Sequence, residues 1–88
     1  MTCGYTIKTQ RLSSGLSLTK LARLVGCSAP YIFEIEKSIS HPSPEMTAKL
    51  SRVLSLDPDD LVEKIFQEKM TAFKSVVLNK FEDGAHAV

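Results

Sequence analysis

Tryptophan is absent, and only two tyrosines and four phenylalanines interrupt an otherwise aliphatic apolar set. Four glycines and four prolines in 88 residues are too few for a low-complexity Gly/Pro segment or a collagen-like repeat. The two cysteines, Cys3 and Cys27, form no CxxC pair, and the two histidines, His41 and His86, lie far apart. Neither set has the spacing of a zinc site or a dithiol redox motif, so both cysteines read as free thiols, Cys3 as a loose terminal one and Cys27 as core packing. There is no Gly-rich phosphate loop and no helix-borne metal motif. These absences lead us to expect no catalytic residues, no metal, no cofactor and no small-molecule ligand. No apolar run approaches the ~20 residues of a membrane-crossing helix, and no basic-then-apolar leader opens the chain. The expectation is a cytoplasmic protein with no membrane partner.

Charge of one sign is also nearly missing, since eleven Lys/Arg against ten Asp/Glu leave a net +1. Its distribution is uneven. Residues 1–56 hold seven Lys/Arg and three Asp/Glu, a balance of +4, and residues 57–88 hold four and seven, a balance of −3. A basic front and an acidic back suit a module that meets phosphate with one part and turns the other away. An apolar content of 43% is ordinary for one globular domain, small enough for a second copy to add to its stability.

The informative stretch is Ser17 to Glu36, SLTKLARLVGCSAPYIFEIE. Leu18, Leu21, Ala22 and Val25 fall at i, i+3, i+4 and i+7, which puts one apolar face on a helix starting near Ser17. Gly26 suits a left-handed helix stop, and Ser28 offers a side-chain oxygen to cap a second helix. So short a connection forces a sharp angle, the arrangement of a helix-turn-helix. In the second helix Pro30 is tolerable in the first turn, and Ile32 and Ile35 make the buried edge. At about 100° per residue the opposite face carries Pro30, Phe33, Glu34 and Lys37.

Gly15-Leu16-Ser17, Leu21-Ala22, Val25-Gly26-Cys27-Ser28, Ile32, Ile35-Glu36, Pro42 and Leu54 resemble, in order and spacing, the Cro/cI-type (phage-repressor-like, XRE) helix-turn-helix regulators. The resemblance runs from about Ile7 to Leu56. It implies an all-α, five-helix, lambda-repressor-like domain whose second helix of the pair, from about Ser28 to Lys37, enters the major groove of double-stranded DNA. It also aligns Arg11 and Glu36 with a pair that forms a structural salt bridge in relatives, and a carboxylate on the flank of the Ile32/Ile35 face needs such a partner. Relatives tend to carry glycine at Ser38 and basic residues near Ile39 and Ser40, so this chain should make fewer ionic phosphate contacts in that loop and show a weaker salt dependence.

Elsewhere the pattern is plainer. Met1 to Tyr5 reads as a loose end, and Thr6 as the cap of a first helix from about Ile7 to Ser14 that stops at Gly15. Ser43-Pro44-Glu45 is a strong helix start, and Met46, Leu50, Val53 and Leu54 stripe a fourth helix. Asp57-Pro58-Asp59-Asp60 opens a fifth. Along it Val62, Phe66, Met70, Phe73, Val77 and Phe81 recur every three or four residues, predicting a helix of about 36 Å from Pro58 to Phe81 at about 1.5 Å per residue. A domain this small cannot cover that stripe. We expect Phe66, Met70, Phe73, Val77 and Phe81 to meet a second copy of the chain, with folding back on the same domain as the alternative, and Glu82 to Val88 to be a frayed tail. Residues 1–56 would then be the DNA-binding part and 57–88 the dimerisation segment.

Ser17, Thr19 and Lys20, at the N-terminus of the second helix, are the phosphate candidates, joined by Tyr31 and by Lys37 as the cation nearest the groove. The resemblance assigns base reading to Ala29, Pro30, Phe33 and Glu34. None of these is an arginine, glutamine or asparagine; Ala29 and Phe33 suit thymine methyls, and Glu34 suits a cytosine amino group. The resulting expectation is a homodimeric transcriptional regulator on a two-fold-related operator, acting by occlusion because repression asks less of a protein than activation. The rival reading is a protein-interaction or antitoxin-like module that presents Phe33 and Glu34 to a protein.

Overall fold

The computed structural model describes residues 1–86, and the tail expected at Ala87 and Val88 lies outside them. Five helices follow in order: α1 (Cys3–Ser13), α2 (Leu18–Val25), α3 (Ala29–Glu36), α4 (Pro44–Leu54) and α5 (Pro58–His86). There is no strand among the described residues, so the architecture is all-α, as expected. The five helices share one core, built from Cys3 and Ile7 of α1, Leu21, Ala22 and Val25 of α2, Ile32 and Ile35 of α3, Leu50 and Leu54 of α4, and Leu61 and Ile65 of α5.

α1 begins four residues earlier than its sequence suggested. Thr2, not Thr6, is the N-cap, and its hydroxyl oxygen accepts the Tyr5 N–H at 3.0 Å. The Thr6 side chain instead donates to the Thr2 carbonyl from inside the first turn. Met1 to Tyr5 is therefore not a loose end. Cys3 is 1% exposed, and its backbone N–H donates to the Glu68 carboxylate of α5 at 3.1 Å. That contact satisfies one of the unpaired donors at a helix start and sets an acid at the positive end of the helix dipole. Its thiol is likewise no loose one, because burial, and then the Glu68 charge, push it from 9.0 up to about 11. Gly4 explains how α1 can lie so close to α3: a Cβ there would sit 2.4 Å from the Ile35 carbonyl oxygen and 2.6 Å from that of Glu36.

α4 starts as its sequence suggested, with the Ser43 side chain accepting the Met46 N–H at 3.2 Å and Pro44 leading the helix. α5 opens beside Asp57, whose Oδ1 accepts the Asp59 N–H at 3.0 Å. Its 29 residues make a rod of about 43 Å at ~1.5 Å per residue. The helix does not stop at Phe81; the stretch from Glu82 through Gly84 to His86 is helical rather than frayed. Leu61 and Ile65 face the core, and every residue from 69 to 84 is exposed, so this stretch does not fold back on its own domain. The rod accounts for the elongated shape, 56 × 24 × 21 Å.

Candidate nucleic-acid interface

The α2–turn–α3 unit is held by short-range chemistry. Ser17 caps α2 by accepting the Lys20 N–H at 3.0 Å. Gly26 ends that helix at φ 77°, ψ 41°, a left-handed conformation open to glycine without steric cost. Ser28 then caps α3 by accepting the Tyr31 N–H at 3.3 Å. Leu21, Ala22 and Val25 of α2 and Ile32 and Ile35 of α3 pack together in the core. Two caps and one glycine thus fix the bend, and five apolar side chains fix which faces turn inward.

The face that remains outward on α3 holds Pro30, Phe33 and Lys37, all exposed. The Lys37 ammonium lies 5.5 Å from the Phe33 ring centroid, a cation–π distance that keeps positive charge over the outer surface of the helix. Glu34 is only half-exposed. Its carboxylate accepts from the Ser40 hydroxyl at 3.4 Å, and its carbonyl receives the N–H groups of Ile39 and Ser40 at 2.9 and 3.3 Å. It is more a tie to the loop after α3 than a free acid. Ala29 and Tyr31 are partly buried against the core, at the edge of this face rather than on it.

At the N-terminus of α2, Ser17, Thr19 and Lys20 are exposed, and the first-turn N–H groups have no carbonyl within the helix to bond. Among the described residues none of Lys20, Arg23 and Lys37 has an ion-pair partner, so their charge is available to an anion. Arg23, on the exposed side of α2 opposite Leu21, Ala22 and Val25, adds to this surface and keeps the front basic, as its sequence position suggested.

Behind the surface, Arg11 reaches from α1 to α3. Its Nε donates to Glu36 Oε2 at 2.7 Å and its Nη2 to Oε1 at 3.0 Å, and Nη1 donates to the Leu16 carbonyl at 2.8 Å. Both side chains are more than nine-tenths buried. Hydrogen bonding to Glu36 raises the guanidinium pKa further above its usual range. The pair removes the Glu36 charge from the outer face and fixes the end of α3 to α1 and to the loop before α2. The Cys27 thiol, half-buried in the turn, is also raised by burial.

The residues assigned to dimerisation lie elsewhere, along α5. Phe66, Met70, Phe73, Val77 and Phe81 are 67, 57, 74, 47 and 73% exposed. An apolar recess of about 320 Å³ beside them is lined by Pro42, Pro44, Ala48, Val62, Phe66 and Lys69 among others, and by no residue of α2 or α3. No helix among the described residues is long and apolar enough to cross a membrane.

Comparison with known proteins agrees with this geometry. A helix-turn-helix family model matches residues 7–61. The structure is similar to that of the P22 c2 repressor protein in complex with a synthetic operator, at 30% identity and a TM-score of 0.67 over 69% of this chain and 92% of that one. It is similar to SinR, the master regulator for biofilm formation, in complex with DNA, at 32% identity and a TM-score of 0.64 over 69% and 98% of the two chains. ClgR, the clp gene regulator from Corynebacterium glutamicum, shares the fold at 22% identity and a TM-score of 0.63, over 91% of this chain and 86% of that one. No sequence among the curated proteins matches. A matched segment that contains α2, the Gly26 turn, α3 and α4 places the chain in the helix-turn-helix family of the Cro/cI type.

Proposed function

We propose that the protein is a DNA-binding transcriptional regulator that acts as a homodimeric repressor, laying α3 in the major groove of a two-fold-related operator. The supporting observation is that α3 is anchored by Ile32 and Ile35 on one side while Pro30, Phe33 and Lys37 stand exposed on the other, next in the chain to an α2 whose N-terminus presents Ser17, Thr19 and Lys20. In this reading Ser17, Thr19, Lys20 and Lys37 hold phosphate, and Ser28 and Tyr31 border the groove. Residues 1–56 supply the DNA contacts and 57–88 the assembly.

Base reading in this protein is mainly apolar. Phe33 and Pro30 meet thymine methyl groups, Ala29 supports them from the edge, and Glu34, tied to Ser40, contributes little hydrogen bonding to bases. Selection of bound fragments from a random DNA pool tests the reading. The expected result is an inverted repeat with half-sites about 10–11 base pairs apart, or a multiple of that, containing thymine opposite Phe33. Replacing those thymines with uracil should weaken binding about tenfold, the low end of the effect of losing one apolar carbon from a contact. Lys20→Ala and Lys37→Ala should each lower affinity evenly across sequences and reduce the salt slope by about one. Absence of any retardation at low salt would sink the proposal in favour of a protein-binding module.

A further inference from the structure

α5 has two apolar faces. Leu61 and Ile65 point into the core, and on a helix turning about 100° per residue Phe66, Met70, Phe73 and Val77 lie roughly 140° away from them. Counted in heptads, Met70 and Val77 take a positions and Phe66 and Phe73 take d positions, the seam of a two-stranded coiled coil. At the ends of this seam the same register places charge: Glu63 at a on one side and Lys80 at d on the other, both exposed. Lys69 and Lys74 flank it at g and e.

Those charges discriminate between the two ways in which a second copy could pair. A parallel, in-register pair sets Glu63 against the partner's Glu63, Lys80 against the partner's Lys80, and Lys69 beside the partner's Lys74, like charges at every polar position of the seam. An antiparallel pair that sets Phe66 against the partner's Val77 and Met70 against the partner's Phe73 brings Glu63 to the partner's Lys80 at both ends. In that register Lys69 meets the partner's Val76 and Lys74 meets the partner's Gln67. Every like-charge contact is gone, and two oppositely charged ones replace them.

We infer that the exposed face of α5 binds a second copy of this chain in antiparallel orientation, sealed at each end by a Glu63–Lys80 ion pair between protomers. The inference rests on the homodimer reading above and deepens it. The overlap from Glu63 to Lys80 is 18 residues, about 26 Å of seam at ~1.5 Å per residue, and it places the two helix-turn-helix heads at opposite ends of one rod.

Sedimentation equilibrium of the full chain at low salt, with DNA binding followed in parallel by fluorescence anisotropy, tests it by charge exchange. Glu63→Lys alone and Lys80→Glu alone should each weaken dimerisation about tenfold, because each turns two attractions into two repulsions. The double variant should recover to within about threefold of wild type. Lys69→Glu should leave the dimer unchanged. If the Glu63 and Lys80 variants all dimerise like wild type, or if Lys69→Glu tightens the dimer, the antiparallel orientation is overturned while the homodimer stands. A wild-type chain that sediments as a monomer yet binds DNA overturns the orientation and the homodimer together.

Discussion

Residues 58–68 of α5 bury Leu61 and Ile65 and hold the start of α1 through Glu68, whereas residues 69–84 of the same helix are exposed throughout. The larger apolar side chains are not the buried ones: Phe66, in the first stretch, is 67% exposed, and Phe73 and Phe81, in the second, are 74 and 73% exposed. Hydrophobic bulk along a helix therefore does not tell which part stabilises the protomer. The part that packs on α1 and α4 supports the head; the part beyond it contributes nothing to a lone protomer and is available for assembly.

Substitutions can sharpen or break this division. The largest loss should come from the head at Arg11→Ala, which leaves Glu36 buried without its guanidinium and should cost about 4 kcal/mol in urea unfolding. Leu61→Ala, in the docked stretch of α5, should cost about 3 kcal/mol by the same measurement. Cys3 gives the division a pH dependence. Its folded pKa, about 11, lies above the ordinary 9.0, so the fold prefers the protonated thiol, and the stability this confers is present below about pH 9 and lost as pH rises through 11. The stability advantage of wild type over Cys3→Ala should therefore shrink between pH 9 and 11 in a series of thermal melts. Ser38 sits at φ 60°, where a Cβ is strained, so Ser38→Gly should gain about 0.5 kcal/mol. Smallest of all, Phe73→Ala should change the unfolding free energy of dilute chain by less than about 0.5 kcal/mol. A cost near that of Leu61→Ala, measured at a concentration where the chain is monomeric, would break the comparison.

The helix-turn-helix was legible because its determinants are local. Ser17, Gly26 and Ser28 act within three or four residues of themselves, and the Leu21/Ala22/Val25 and Ile32/Ile35 spacings need only helical periodicity. α1 was misplaced because its determinants are distant. Gly4 looks like a helix breaker, but its missing side chain answers to the backbone of α3, more than thirty residues on, and Cys3 is capped from Glu68. Periodicity also merged α5 into one stripe led by its bulkiest residues, and it passed over Leu61 and Ile65, whose four-residue spacing was visible but whose partners in the core were not. For the candidate interface, Ser17, Lys20, Phe33 and Lys37 could be placed from helical geometry. The attachment of Glu34 to Ser40 depends on how the following loop returns, which no pattern in that loop encodes.

The close approach at Gly4 has a mechanical consequence. With the α1 backbone seated against the Ile35 and Glu36 carbonyls, the last turn of α3 has no room to slide or tilt, and the Arg11 clasp holds it from the other side. The end of α3 is thus rigidly mounted, and under the proposed groove-reading function a duplex whose groove width does not suit it must itself bend or twist to fit.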